Sequence, residues 1–215
     1  VNVKGEKNIL EESVRKGVKR HIFISTVATQ TPKPNAYRDS KLEAEEEIKK
    51  FGNTHHLDWI ILRYANVLGS QTWDQPFKVI FPFLRIGIPK IPTDSKTSPF
   101  YFVTIETVLD ATMAAIEAKP NQMITVLDGK ITIGEYLSIM EKVHHVRVSF
   151  LPSKPVRLLA KYFGIYFPFL EGMSVGLEFM AHPPAFENKT MKRELHIETR
   201  NFQKWMKRYF PKEQV

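Results

Sequence analysis

The sequence contains no cysteine, which excludes disulfide bonds and cysteine-ligated metals and fits a reducing, cytoplasmic setting. It also has no apolar run of the roughly 20 residues needed to cross a bilayer, and no charged-then-apolar leader opens it, so we expect a soluble protein. Gly-x-Ser-x-Gly and phosphate-loop patterns are absent, which leaves hydrolase and kinase activities without support.

The content that is present is typical of a folded domain. Of the 215 residues, 43% are hydrophobic and 12% are aromatic, which suits one sizeable domain. The net charge of +8 is dispersed, and no basic stripe accompanies a groove-reading motif. We therefore expect solvated faces and a small-molecule site, not nucleic-acid binding. The adjacent pairs His55-His56 and His144-His145 point their side chains apart, so no metal site is predicted.

Hydrophobic periodicity predicts an α/β fold, because strand-like apolar runs alternate with amphipathic helical patterns. The continuous apolar character of residues 21–26 favours a parallel strand that is buried on both faces. Helices are predicted at 2–16, 35–51, 105–119 and 132–143, with a further short helix at 201–209, and strands at 21–26, 57–68, 100–103 and 123–127.

The chemistry concentrates in residues 21–41, where an apolar run is followed by hydroxyls, a proline-bearing loop and a helical pattern that opens at Asn35. Residues four apart share a helix face, so Lys41 lies beside Tyr37 and can stabilise its phenolate. Tyr37 would exchange a proton with a carbonyl or alcohol, and Thr26 would hold the substrate oxygen. No side chain accepts a hydride, so such a site implies a nicotinamide cofactor.

This pattern also has interpretations that involve no catalysis. About one Tyr-x-x-x-Lys pair is expected by chance in such a chain. The interpretation of Tyr37 as an ordinary packed tyrosine therefore stays open. The alternative interpretation of Thr26 is that it ends the strand and takes no part in substrate binding.

Five blocks, in this order, resemble the extended and atypical short-chain dehydrogenases/reductases, which include the NAD-dependent epimerase/dehydratase group. They are NVKG at 2–5, GVKRHIFIST at 17–26, YRDSKLEAE at 37–45, LRYANVLG at 62–69 and FVTIETVLDA at 102–111. The resemblance implies the C-terminal part of a doubly wound, Rossmann-like parallel sheet, followed by a small, mostly helical substrate-side region.

The resemblance also implies a role for each matched position. Tyr37 would be the acid/base, Lys41 would hold the nicotinamide ribose, Thr26 would replace the usual serine, and Asn2 would support a proton relay. The implied cofactor is NAD or NADP, and the implied reaction is that of an oxidoreductase or a sugar-nucleotide epimerase/dehydratase.

Further implied contacts are Tyr64 and Val67 with the cofactor and Asn66 with the substrate. The resemblance divides the chain into a partial NAD(P)-binding domain at 1–148 and an aromatic-rich cap at 149–215. The family's Gly-rich turn, which cradles the pyrophosphate, is absent. We therefore expect an N-terminally truncated chain that binds cofactor poorly by itself.

Two alternatives remain open at the level of sequence. Some atypical members bind NAD(P)H without turnover, so a non-catalytic binding or assembly protein is the second hypothesis. The aromatic C-terminal third is expected to cap a substrate pocket in preference to contacting a membrane. A parallel sheet with an unpaired edge also favours low stability or association, so a homo-oligomer is one of two expected outcomes.

Overall fold

The computed structural model describes residues 2–32, 34–69, 91–92, 96–144, 148–152 and 184–209. The helices are α1 (Asn2–Arg15), α2 (Ala36–His55), α3 (Ile105–Ala114), α4 (Ile133–His144), α5 (Lys189–Leu195) and α6 (Phe202–Tyr209), with a 3-10 helix at Val27–Gln30. The strands are β1 (Arg20–Thr26), β2 (Asp58–Tyr64), β3 (Asn66–Leu68), β4 (Ile91–Pro92), β5 (Pro99–Thr104), β6 (Gln122–Val126), β7 (Gly129–Thr132) and β8 (Phe150–Leu151).

The chain divides into two compact units, each built from several segments. Unit 1 comprises Val1–Val67, Val103–Asp128 and Phe186–Thr199, and unit 2 comprises Leu68–Phe102, Gly129–Ala185 and Arg200–Val215. These boundaries follow packing and differ from the functional division at 148/149, which stays a prediction.

Unit 1 is built around a parallel sheet with the strand order β1-β2-β6. The central strand β2 is buried on both faces, since Ile60, Ile61 and Leu62 have no exposed surface. This is the burial that a continuous apolar run predicts for a parallel strand. The α/β class with a parallel sheet is therefore confirmed.

Helix α2 extends further than the sequence predicts. Gly52 predicts a helix end just before it, but α2 continues to His55 and ends where His56 adopts a left-handed conformation with φ 54°. A Cβ atom on residue 52 would lie 2.5 Å from Cδ1 of Trp59 and 2.8 Å from the carbonyl oxygen of Leu57. Gly52 thus permits the close approach of α2 to β2, and it does not terminate the helix.

The core of unit 1 on the α2 side is formed by apolar residues from α1, β1, α2 and β2. Its buried members are Leu10, Phe23, Ala44, Ile48, Leu57, Trp59 and Ile61. The periodicity of 35–51 predicts the burial of Ala44 and Ile48. Of the stripe predicted in 2–16 only Leu10 is buried, since Ile9 is 54% and Val14 is 37% exposed. Burying each large side chain contributes about 1.5–3 kcal/mol. The packing fixes α2 against β1 and β2, which is where the candidate site lies.

Unit 2 contains a second sheet with the order β3-β5-β7. The strand predicted at 100–103 is present as β5, but it pairs antiparallel with β7, a strand that the sequence analysis did not identify. Apolar and aromatic residues of β5, α4 and α6 form one buried cluster. It includes Phe100 and Phe102 of β5, Tyr136, Leu137 and Met140 of α4, and Phe202, Trp205 and Met206 of α6. Most of the predicted cap, residues 153–183, lies outside the described residues.

Helix α4 starts with the capping box that Thr132 and Glu135 predict. The Thr132 backbone N–H donates to Oε2 of Glu135 over 2.7 Å, and the Glu135 N–H donates to Oγ1 of Thr132 over 3.0 Å. The backbone hydrogen bond from Thr132 and its hydroxyl hydrogen bond hold the pKa of Glu135 below its usual range.

Candidate active site

The candidate site lies at the carboxyl ends of the parallel strands of unit 1. Thr26 is the last residue of β1, and it is paired in register with Tyr64, the last residue of β2. Tyr64 is paired in turn with Val126, the last residue of β6. Ligands of open α/β sheets bind at this edge, so any candidate residue that reaches it is well placed.

Thr26 ends its strand by capping the 3-10 helix. Its Oγ1 accepts a hydrogen bond from the Ala28 N–H over 3.2 Å, and its carbonyl accepts one from the Thr29 hydroxyl over 2.8 Å. The side chain is half-buried. Since Oγ1 serves as an acceptor here, its hydrogen remains available to donate to a substrate oxygen.

The loop from Thr26 to α2 is held by Arg38. Nε of Arg38 donates to the carbonyl oxygen of Thr31 over 2.8 Å. The Arg38 backbone N–H donates to Oδ1 of Asn35 over 2.9 Å, so Asn35 is the N-cap that the sequence predicts. These bonds fix the first turn of α2, which carries Tyr37.

Tyr37 and Lys41 occupy the amino-terminal part of α2. The Tyr37 side chain is 55% exposed, whereas Lys41 is half-buried. Nζ of Lys41 donates to the carbonyl oxygen of Ile24 over 3.0 Å and lies 4.7 Å from the centroid of the Phe23 ring. Lys41 is therefore fixed close to the carboxyl end of β1, with Tyr37 one turn nearer the start of the helix.

A buried carboxylate on the same helix was missed by the sequence analysis. Glu45 has no exposed surface. Its Oε1 accepts hydrogen bonds from Oγ of Ser25 over 2.5 Å and from Nε of Arg63 over 2.9 Å, and its Oε2 accepts one from Nη2 of Arg63. The available signal was a glutamate four residues after Lys41, together with an arginine in an otherwise apolar strand.

Tyr64, expected to contact the cofactor, has its hydroxyl engaged by α3. The hydroxyl lies 2.8 Å from Oγ1 of Thr112 and 3.3 Å from the carbonyl oxygen of Val108. Burial raises the pKa of Tyr64 to about 12, and the hydrogen bond with Thr112 opposes that rise. Its predicted contact with cofactor stays a prediction.

The remaining predicted positions surround the same strand ends or begin the chain. Asn66 is half-buried and Val67 is 37% exposed, both in β3, which follows β2 after a single residue. Asn2 is the first residue of α1, and its side chain lies outside the described residues. Thr26 and Lys41 thus lie at the carboxyl end of β1 and Tyr37 lies one turn from Lys41 on α2, while the roles of Asn2, Asn66 and Val67 stay predictions.

The described ranges hold neither a cluster of metal ligands nor a membrane-spanning helix. No group of three His, Asp or Glu side chains there is arranged to hold a metal ion. No helix within those ranges is long and apolar enough to span a membrane.

Comparison with known proteins finds one matching family model and several solved structures of similar fold. A family model described as a polysaccharide biosynthesis protein matches residues 1–164. UDP-glucuronic acid 4-epimerase from Bacillus cereus, solved with NAD, aligns with a TM-score of 0.58 and 21% identity over 70% of this chain and 56% of its own. UDP-glucose 4-epimerase from Thermotoga maritima, solved with UDP-glucose, aligns with a TM-score of 0.65 and 18% identity over 100% of this chain and 70% of its own.

A third match is RMD from Pseudomonas aeruginosa, which was solved with NADPH and aligns with a TM-score of 0.55 and 18% identity. The alignment covers 71% of this chain and 61% of the RMD chain. No curated protein matches the sequence. The chain therefore shares the Rossmann-type fold of these structures and spans 56% of the length of the Bacillus cereus enzyme.

Proposed function

The chain belongs to the polysaccharide biosynthesis protein family, and we propose that it supplies the proton-transfer half of an NAD(P)-dependent enzyme acting on a sugar nucleotide. Its similarity to the extended short-chain dehydrogenases/reductases, expected from five sequence blocks, is confirmed by the family match and by the epimerase structures. The proposed reaction is epimerisation, dehydration or reduction at a sugar carbon.

The observation that carries the proposal is the position of Lys41 and Tyr37 at the strand edge. The ammonium group of Lys41 reaches the carbonyl of Ile24, two residues before the end of β1. Tyr37 precedes Lys41 by one turn on the same helix face and is exposed. An exposed phenol beside a lysine, at the ligand-binding edge of a parallel sheet, is the arrangement that acid/base chemistry needs.

The roles follow from the functional groups. Tyr37 would take the proton of a substrate hydroxyl or return it, and the positive charge of Lys41 would favour the phenolate. The hydroxyl of Thr26 would donate to the substrate oxygen on which charge develops. The nicotinamide, when bound, supplies the hydride acceptor that no side chain provides.

The residues present fit one end of that cofactor. Tyr37 and Lys41 would hold the nicotinamide ribose, since Lys41 reaches the end of β1 and Tyr37 lies one turn away on the same helix face. The sequence has no Gly-x-Gly-x-x-Gly turn to receive the pyrophosphate. We therefore expect cofactor affinity to depend on residues outside this sequence.

The substrate class is proposed from the neighbouring structures. One was solved with UDP-glucose and another is a UDP-glucuronic acid 4-epimerase. A nucleoside diphosphate sugar presents secondary hydroxyls, which are the groups that a Tyr-Lys site oxidises together with a nicotinamide. Asn66, next to the end of β2, is the proposed substrate contact.

A second candidate function is cofactor binding without turnover. It is favoured by the engagement of Lys41 with a backbone carbonyl and with the Phe23 ring, which gives this lysine a structural use. In that case Tyr37 would be an exposed tyrosine without a chemical role.

The substitution Tyr37→Phe separates the two candidates. NADH and NADPH are titrated into this chain, and into a form that carries whatever residues its gene encodes upstream, with nicotinamide fluorescence as the signal. The binding-competent form is then assayed with UDP-glucose and UDP-glucuronic acid. We expect Tyr37→Phe to retain cofactor binding and to lose about 10²–10⁴-fold in turnover.

The matched control is Tyr209→Phe, the same chemical change in unit 2, which should leave turnover unchanged. Turnover by Tyr37→Phe at the wild-type rate would contradict the catalytic proposal and support cofactor binding alone. Absence of nicotinamide binding in both forms of the protein would contradict both candidates.

A further inference from the structure

Glu45 is the most completely buried charged side chain in the candidate site. It has no exposed surface. Its hydrogen-bond donors are also largely buried: Ser25 is 5% exposed, and the side chain of Arg63 is 15% exposed. Removing such charges from water is energetically costly, and an apolar pair of similar size is often as stable or more stable. The ion pair therefore needs an explanation other than stability.

The contacts of Glu45 link one helix to two strands at matched positions. Ser25 of β1 and Arg63 of β2 are partners in the parallel register, and each precedes the last residue of its strand. The Glu45 carboxylate accepts from both of them. It therefore ties α2 to both strands one residue before the edge where the candidate chemistry lies.

Glu45 also shares a helix face with the two candidate catalytic residues. Tyr37, Lys41 and Glu45 are spaced four residues apart, about 6 Å per step along the axis. Lys41 contacts the carbonyl of Ile24, and Glu45 contacts the next residue, Ser25. Sliding or rotating α2 would break both contacts, and it would move Tyr37 by the same amount.

The directional character of these bonds distinguishes them from the apolar packing around them. Ala44 and Ile48 are buried in the same core, but apolar contacts are non-directional. A two-point arginine–carboxylate contact fixes geometry as well as energy. It can therefore define the axial position and rotation of α2 more sharply than the apolar contacts that hold α2 against β1 and β2.

We propose that Glu45 is a positioning residue: its contacts with Ser25 and Arg63 set the axial position and rotation of α2 and so place Tyr37 and Lys41 at the carboxyl end of β1. The importance of this placement for turnover rests on the proposed function. The placement itself is a property of the folded chain, and it is measurable without cofactor or substrate.

The test is the double variant Glu45→Leu/Arg63→Met, which removes both buried charges together and should therefore keep the fold. Nζ of Lys41 lies 4.7 Å from the Phe23 ring centroid, so the ε-methylene protons of Lys41 carry a ring-current shift in the NMR spectrum. If Glu45 positions α2, the folded double variant loses this shift. Ser25→Ala, a milder change, should reduce it in the same direction.

The matched control is Glu47→Gln. Glu47 lies two residues further along α2 and pairs with Lys7 of α1, so the Lys41 shift should be retained. A purely stabilising role for Glu45 predicts an altered melting temperature with an unchanged Lys41 shift, which would overturn the proposal. Loss of the shift in the double variant and in Ser25→Ala, but not in Glu47→Gln, would support it.

Turnover supplies the second measurement. In the form that binds cofactor, the double variant should lower kcat by about 100-fold, the cost of misplacing a group by roughly 1 Å, with KM little changed. If Tyr37→Phe has no effect on turnover, the proposed function fails. The NMR comparison still decides whether Glu45 positions the helix.

Discussion

Helices α2 and α3 pack on opposite faces of the same parallel sheet, but different chemistry holds them there. Consecutive residues of β2 point to opposite faces, so Arg63 reaches α2 whereas Tyr64 reaches α3. The α2 contact is a charged pair between Arg63 and Glu45. The α3 contact at the neighbouring residue joins two uncharged hydroxyls.

The start of α3 is also held by a buried carboxylate, but its partners are neutral. Asp128 accepts hydrogen bonds from the Thr104 backbone N–H over 2.7 Å, from the Thr104 hydroxyl over 2.9 Å and from the Thr107 hydroxyl over 2.7 Å. At the other end of α3, Nη1 of Arg20 donates to the carbonyls of Ala115 and Ile116. These bonds hold both ends of α3.

The two faces differ in the cost of the interaction that attaches each helix. On the α3 side each charged group reaches the helix through neutral partners, since Asp128 accepts from hydroxyl and amide groups and Arg20 donates to backbone carbonyls, and α3 carries no candidate catalytic residue. The helix that carries Tyr37 and Lys41 is held by a buried ion pair, which is more expensive to form and more strongly directional. Substitutions on the two faces of the sheet should therefore differ in their cost to stability.

The largest effect is expected from Glu45→Leu alone. This change leaves the charge of Arg63 buried without its partner, so the free energy of unfolding should fall by about 3–5 kcal/mol. Urea denaturation measures the loss. Adding Arg63→Met should recover most of it, and a double variant as unstable as the single one would show that packing, not charge, is responsible.

The next effect concerns alkaline pH and the α3 face. Burial raises the pKa of Tyr64 from its ordinary value of 10.0 to about 12, so the unfolded chain loses this proton first as the pH rises. The contribution of Tyr64 to the free energy of unfolding should therefore be fully present below pH 10. It should be lost as the pH rises from 10 to about 12. Two pKa units correspond to at most about 2.7 kcal/mol.

Tyr64→Phe isolates this contribution. Its unfolding free energy should lack the Tyr64 component of the decline between pH 10 and pH 12, at a cost of about 1 kcal/mol at neutral pH for the lost hydrogen bond. Tyr37→Phe is the control, because Tyr37 is exposed. A decline of equal size in wild type and in Tyr64→Phe would show that the attachment through Tyr64 is not pH-sensitive.

A smaller loss is expected from Asp128→Asn. Asparagine keeps one acceptor oxygen but turns an NH2 group toward one of three donors, so stability should decrease by about 2 kcal/mol. Asp110→Asn, on an exposed position of α3, is the matched control and should change stability by less than about 0.5 kcal/mol. Thermal melts followed by circular dichroism would compare them.

The sequence predicted the elements of unit 1 better than the contacts between them. Periodicity identifies β1 and the start of α2 because burial on a strand or a helix face leaves a local pattern. It does not identify Glu45 as buried, since the charge contradicts the pattern until its partner is known. Arg63, 18 residues away in sequence, becomes that partner only through the register of α2 on the strands.

Two further differences have the same origin. Gly52 is a helix-end signal locally, but the approach of Trp59 gives it a packing role that only the folded structure shows. Residues 100–103 have the apolar content of a buried strand, and that content does not say whether the neighbour is parallel or antiparallel. Among the candidate site residues, Thr26, Tyr37 and Lys41 were found because a local chemical pattern joins them.

The smallest effect is expected at the outer side of α2, where Glu47 pairs with Lys7 of α1 over 3.3 Å. The side chains are 32% and 47% exposed, so water screens the pair, and Glu47→Gln should cost only about 0.2–1 kcal/mol. The loss should shrink further between about 0.01 M and about 1 M salt, because the Debye length falls from about 30 Å to about 3 Å. The effect of Glu45→Leu should persist at high salt, because ions do not reach its buried carboxylate. Equal salt sensitivity of the two variants would mean that α2 is attached to both neighbours by the same kind of exposed contact.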